Sequence, residues 1–206
     1  MTVPVAPAVG AIPPGTPTPA TRRRTYSTAW WGVAMLILTE AMIFLALIGA
    51  YFFLRASATT WPPAGIELPE LKLSTPFSFV LWGSSIPIFW AEASLRKGDL
   101  KRFRLGLATT FVMGIAFLGY TAYGFHELKY GWTDNAYGSI VYTIVGLHAL
   151  HVLVGVVMNG VIQLKARLGR YNGGRHASAE VYFLYWHFVD AVWLVVWPSL
   201  FLSEHF

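Results

Sequence analysis

The stretch YWHFVDAVWLVVWP, residues 185–198, sets a histidine and an aspartate inside an apolar, aromatic run. His187 and Asp190 are three residues apart, so on a helix they share one face. A second pair with that spacing, His148 and His151, stands in YGSIVYTIVGLHALHVLVG (137–155). A lone carboxylate, Glu40, stands in WGVAMLILTEAMIFLALIGAYFF (31–53). Such groups in such surroundings suit three kinds of chemistry. They can hydrogen-bond one helix to another, hand on a proton, or ligate a haem. Haem ligation by two helices needs small residues where the macrocycle lies. Gly146 and Gly155 offer that beside His148 and His151, whereas Tyr185, Trp186 and Phe188 crowd His187. Glu40 is the best placed of the carboxylates for a functional role, and a proton-coupled transporter would use it together with Asp190.

The elements that must position these groups are membrane spans. The chain has 206 residues, 55% of them hydrophobic and only 12% charged. A soluble domain carries about twice that charge fraction. A helix crossing a bilayer needs roughly 20 mostly apolar residues. Five stretches qualify, at about 30–54, 75–95, 105–125, 136–164 and 179–203. The fold class expected is therefore all-α, an integral membrane bundle of five transmembrane helices.

Basic residues orient it. Arg22, Arg23 and Arg24 precede the first span. Arg96, Lys97, Lys101, Arg102 and Arg104 follow the second, and Lys165, Arg167, Arg170 and Arg175 follow the fourth. These twelve fall on one side; Arg55, Lys72 and Lys129 fall on the other. The bias predicts a cytoplasmic N-terminus and a C-terminus outside. Glu40, both histidine-containing pairs and Asp190 then lie near the midplane, whichever way each helix runs. A polar layer joining spans one, four and five is the economical reading. Glu92 and Glu180 lie near cytoplasmic span ends, where ion pairs with the basic connections are expected. Trp30, Trp31, Trp61, Trp132 and Trp197 fit an interfacial belt.

Residues 1–24 divide from the rest, 25–206, as a Pro- and Ala-rich tail with a basic end. Without a basic start before an apolar core it does not read as a signal peptide, and an extended or disordered tail is expected. The absence of cysteine excludes thiolate metal sites and a thiol nucleophile. No nucleotide loop, nucleophile–base constellation or HExxH motif is present. Nothing points to nucleic acid. The residues describe a subunit more readily than a stand-alone enzyme.

In order and spacing, TEAMIF, WPPAGI, GLHALHV and YWHFVDAVW, with FWAEASLRKGD (89–99), resemble subunit III of the haem–copper respiratory oxidases. The match touches every span but the third and looks like a five-helix bacterial form. The resemblance implies a non-catalytic subunit of a proton-pumping terminal oxidase in the bacterial plasma membrane. It implies packing on subunit I, with subunit II in the same complex and cytochrome c as electron donor. It also implies bound phospholipids, and haem and copper in subunit I rather than here. Glu40, His148 and His151 would be the family's buried glutamate and paired histidines, and Glu180 the acid opening the last helix. Trp186, His187, Asp190 and Trp193 would be its terminal signature. WPPAGIELP favours cytochrome c oxidase over ubiquinol oxidase and over the accessory protein of nitric oxide reductase. Two places depart from the family: Glu92 stands where many members have histidine, and YGFHEL has Gly124 and Glu127 in place of glutamate and histidine. A b-type haem anchor that passes electrons to quinone is the alternative of a different class.

Overall fold

The computed structural model describes residues 27–63, 66, 71–171 and 176–203. The expected tail, 1–24, lies outside them, as does Arg175. The described residues are helical, with no strand among them. The helices are α1 (Thr28–Ser57), α2 (Leu71–Gly83), α3 (Ser85–Arg96), α4 (Leu100–Glu127), α5 (Ala136–Arg167) and α6 (Ala177–Trp197). A π-helical turn, Pro198–Leu202, continues α6.

Local chemistry sets the ends. The side chains of Ser27, Asp99 and Asn135 accept hydrogen bonds from the amides of Trp30, Arg102 and Gly138, capping α1, α4 and α5. After α3 and α5 the chain turns through Gly98 and Gly169 at φ 76° and 71°, a region that costs a side chain strain. The guanidinium of Arg104 donates to the carbonyl of Ala166, covering the exposed C-terminal end of α5.

Four helices are long and apolar enough to cross a membrane: α1, α4, α5, and α6 with its π turn. The expected second span is instead two shorter helices, α2 and α3, broken at Ser84. Pro87 explains the break. It has no N–H to give the carbonyl of Gly83, and its ring crowds that carbonyl. Ser84 remains in the right-handed helical region, with its amide bonded to Val80 and Leu81, so the path bends without reversing.

Side-chain contacts fix the register. Along the α2–α3 path, Phe77 stacks on Tyr120 (4.4 Å) and the Thr110 hydroxyl reaches the Ser84 carbonyl (3.5 Å), so the path runs antiparallel to α4. Asn159 donates to the Leu107 carbonyl (3.1 Å), and His148 meets Phe117, so α5 is antiparallel to α4. Tyr185 donates to the His151 carbonyl (3.1 Å), setting α6 antiparallel to α5. Arg55, in the last turn of α1, donates to the Ser203 hydroxyl and carbonyl (both 2.8 Å), so α1 is parallel to α6. The core lies among α3–α6, filled by Trp186, Tyr182, Phe103, Phe117 and Ile88.

α1 joins the bundle by a narrow stripe. Phe44, Ile48 and Tyr51, spaced i, i+4, i+7, are its buried residues, and its main neighbours are α5 and α6. Its other faces expose Met42, Leu45 and Phe53, a surface suited to lipid or to another protein.

Candidate functional site

The polar residues singled out from the sequence do lie at similar depth, but in separate groups. Glu40 and His151 meet across the α1–α5 contact, with His151 Nε2 3.3 Å from Glu40 Oε2. The other ring nitrogen, Nδ1, is 2.8 Å from the carbonyl of Leu147, one turn back on α5. A carbonyl only accepts, so Nδ1 carries a hydrogen. Nε2 is the nitrogen left to face the Glu40 carboxyl. The His151 side chain is 9% exposed and that of Glu40 26%, so the pair opens at one edge of the bundle.

His148 is one turn away and wholly enclosed, at 0% exposure. Its ring stacks on Trp193 (4.5 Å) and meets Phe44 and Phe117 edge-on. Neither of its nitrogens has a hydrogen-bond partner. It is a packing element that brings α1, α4, α5 and α6 against one ring.

His187 and Asp190 turn the other way, to α3. The hydroxyl of Ser85 donates to Asp190 Oδ2, while Asp190 Oδ1 is buried without a partner. His187 stacks on Phe89 (4.3 Å). The aromatic rings of Tyr185 and Phe188 face His151 from α6 instead. A single layer joining spans one, four and five is therefore not formed. Span five directs its ionisable pair to the second span's second half, because i, i+3 spacing gives one face and that face packs on α3.

Trp186 and Trp193 are placed by serines on the same broken path. Trp186 Nε1 donates to Ser84 Oγ (2.8 Å) and Trp193 Nε1 to Ser78 Oγ (3.0 Å). The Trp186 ring also fills the space over two glycines. A Cβ on Gly114 or Gly155 would come within 2.9 or 2.8 Å of it. Glu180 stands in the first turn of α6, where the helix dipole favours a negative charge. Glu92 pairs with Arg96, four residues on.

Sequence reasoning missed the most fully satisfied polar group. Asn159, at 0% exposure, donates to the Tyr182 hydroxyl (2.7 Å) as well as to Leu107, and accepts from Gln163 (2.7 Å). The signal was there, since Asn159 and Gln163 are two amides at i, i+4 spacing in a helix otherwise apolar along that face. Ser84 and Ser85 were also missed; their partners follow from the bend at Pro87, which a uniform hydropathy profile hides.

These arrangements hold helices together through bonds made between them. Both ring nitrogens of His151 are engaged, and His148 is walled in by aromatic rings. Among the described residues, no three His, Asp or Glu side chains gather as metal ligands would.

The family model for cytochrome c oxidase subunit III matches residues 21–204. The chain is 33% identical over 176 residues to the cytochrome c oxidase subunit 3 of Thermostichus vulcanus, covering 85% of this chain and 87% of that one. It is 35% identical over 173 residues to the Synechocystis subunit 3, covering 84% and 74%. The Anopheles gambiae subunit 3 is 31% identical over 182 residues, covering 83% and 68%. On this match, running through every helix of the bundle, the chain belongs to the cytochrome c oxidase subunit III family.

Proposed function

We propose that this chain is the non-catalytic subunit III of a proton-pumping cytochrome c oxidase in a bacterial plasma membrane. It packs on subunit I, which carries haem and copper, with subunit II in the same complex and cytochrome c as donor. It retains phospholipids and steadies subunit I and its proton entry during turnover. The observation that carries this reading is the family match over residues 21–204, on a bundle whose polar side chains are largely committed to neighbouring helices.

The chain crosses the membrane five times, N-terminus inside and C-terminus outside. Two things support this. The α2–α3 path runs beside α4 from Phe77 to Ala91, and its 26 residues from Leu71 to Arg96 rise roughly 39 Å at about 1.5 Å each, enough for one crossing. The parallel ends of α1 and α6 agree with an odd number of spans. The basic connections then face the cytoplasm.

The test is purification of the complex under mild detergent. The chain is expected at one copy per subunit I, with no haem band in the isolated subunit. Its removal should leave the initial oxygen-reduction rate intact and shorten the number of turnovers before inactivation. Loss of a haem signal on removal would overturn the reading.

A further inference from the structure

Two buried polar atoms on one face of α6 have no hydrogen-bond partner among the described residues. Asp190 is 5% exposed; the Ser85 hydroxyl donates to its Oδ2, and Oδ1 is left over. One turn earlier, His187 Nε2 is left over too. In the interior of a membrane bundle each such atom is costly, because no bulk water is there to serve it.

α3 runs antiparallel to α6 and forms the other side of the seam. Ser85 lies against Asp190, and Phe89 lies against His187, ring on ring at 4.3 Å. Phe89 is itself 60% exposed, so its ring covers the imidazole from the outside of the bundle. Ser85 has a positioning role. By holding Oδ2 it fixes the rotation of the carboxyl and reserves Oδ1 for another partner. Glu92 follows on the same face of α3, since 85, 89 and 92 are spaced i, i+4, i+7. Its charge is felt at His187, and its side chain is 25% exposed.

The spacing limits what can join the two atoms. Three residues of helix rise about 4.5 Å. Two hydrogen bonds through one bridging molecule span up to about 5.6 Å. The ligand must therefore be small and must bond a carboxyl oxygen and a ring nitrogen together. An oxygen-preferring cation takes about six ligands, and only Asp190 and Ser85 bring side-chain oxygens to this point. Water both donates and accepts. It satisfies Oδ1 and Nε2 in either tautomer of the ring, with or without a proton on the carboxyl.

We propose that the α3–α6 seam binds one water molecule between Asp190 Oδ1 and His187 Nε2, making the two side chains a single hydrogen-bonded unit. A proton can pass along it: the carboxyl releases one to the water as the water releases another to an unprotonated Nε2. Glu92 marks the end by which water exchanges with the seam. Without Ser85 the carboxyl turns and the water is lost. The site lies wholly within this chain and stands apart from the oxidase reading.

Cryo-electron microscopy of the purified complex, at a resolution that shows ordered water, tests this on the wild type. Density is expected at about 2.7–3.2 Å from both Asp190 Oδ1 and His187 Nε2. Direct contact between the two side chains would overturn the proposal. So would the absence of density between them, or a peak about 2.4 Å from three or more oxygens, which marks a cation. Infrared spectroscopy gives a second readout. The carboxyl absorption lost in Asp190→Asn should shift in His187→Leu and stay in place in Glu127→Gln. An absorption unmoved by His187→Leu would overturn the shared water. Neither measurement depends on which complex the chain serves, so this proposal and the proposed function fail separately.

Discussion

Glu40 on α1 and His151 on α5 lie 3.3 Å apart, although 111 residues separate them in the chain. Since His151 Nδ1 is spent on Leu147, the contact with Glu40 depends on Nε2 alone. It joins α1 to α5 by a side-chain hydrogen bond across a contact otherwise made by the apolar stripe of Phe44, Ile48 and Tyr51.

Glu40→Ala should therefore loosen α1. The expected cost is about 1 kcal/mol, the scale of an interhelical hydrogen bond in a membrane. Glu40→Gln should recover most of it, because an amide N–H can donate to Nε2. Detergent-induced dissociation of the chain from the complex reads this out. The initial oxygen-reduction rate should change less than the dissociation midpoint. Immediate and complete loss of turnover in an intact complex would count against the structural role.

Asn159→Leu should be the costlier single change in α5. It strips partners from Tyr182 and Gln163 and leaves the Leu107 carbonyl with one bond fewer. A loss of about 1–3 kcal/mol is expected, the penalty of leaving a buried polar group unmet. Thermal unfolding of the chain in detergent measures it. Tyr182→Phe combined with Asn159→Leu should cost less than the two single changes added, because they break one shared bond.

Gly106→Ala should separate α3 from α4. Its new Cβ would lie 2.6 Å from the Pro87 carbonyl oxygen and 2.8 Å from the Ala91 Cβ, and a backbone atom cannot step aside. Overpacking of this kind costs about 1–3 kcal/mol. Gly146→Ala, with nothing within 4 Å of its Cβ, should unfold at or above the wild-type temperature. Equal melting of the two variants would contradict the close α3–α4 approach.

Ser85→Ala should destabilise the bundle more than Asp190→Asn. The first leaves a buried carboxyl with no hydrogen bond at either oxygen. The second keeps an acceptor for Ser85 and removes the ionisable group. Comparing the two melting temperatures decides it, and a larger loss for Asp190→Asn would point to a charge-dependent role for Asp190.

How much of this was legible beforehand varies by residue. Hydropathy placed α1, α4, α5 and α6 well, since long apolar runs permit little else. Depth could be counted along each run, so Glu40 and His151 were rightly put at one level. Direction could not. Which helix face meets which neighbour depends on packing, and so the expected layer joining spans one, four and five did not foresee that His187 and Asp190 meet Phe89 and Ser85 of α3. The break at Ser84 was carried by one residue, Pro87, which leaves the Gly83 carbonyl, four positions earlier, without its helical partner. Trp186 illustrates the same limit. Its ring needs Gly114 and Gly155 on two other helices, and no local pattern announces that pair.

α1 precedes every other described helix in the chain, yet its main neighbours, α5 and α6, come last. The Arg55–Ser203 contact ties its end to the final described residue. During synthesis, α1 is thus made first and finds its seat last. Until α5 and α6 emerge it lacks both of these neighbours and has lipid, or another subunit, to lie against. Order of manufacture and order of assembly run in opposite directions in this chain, and the interval between them is when a waiting partner protein would have the freest access to α1.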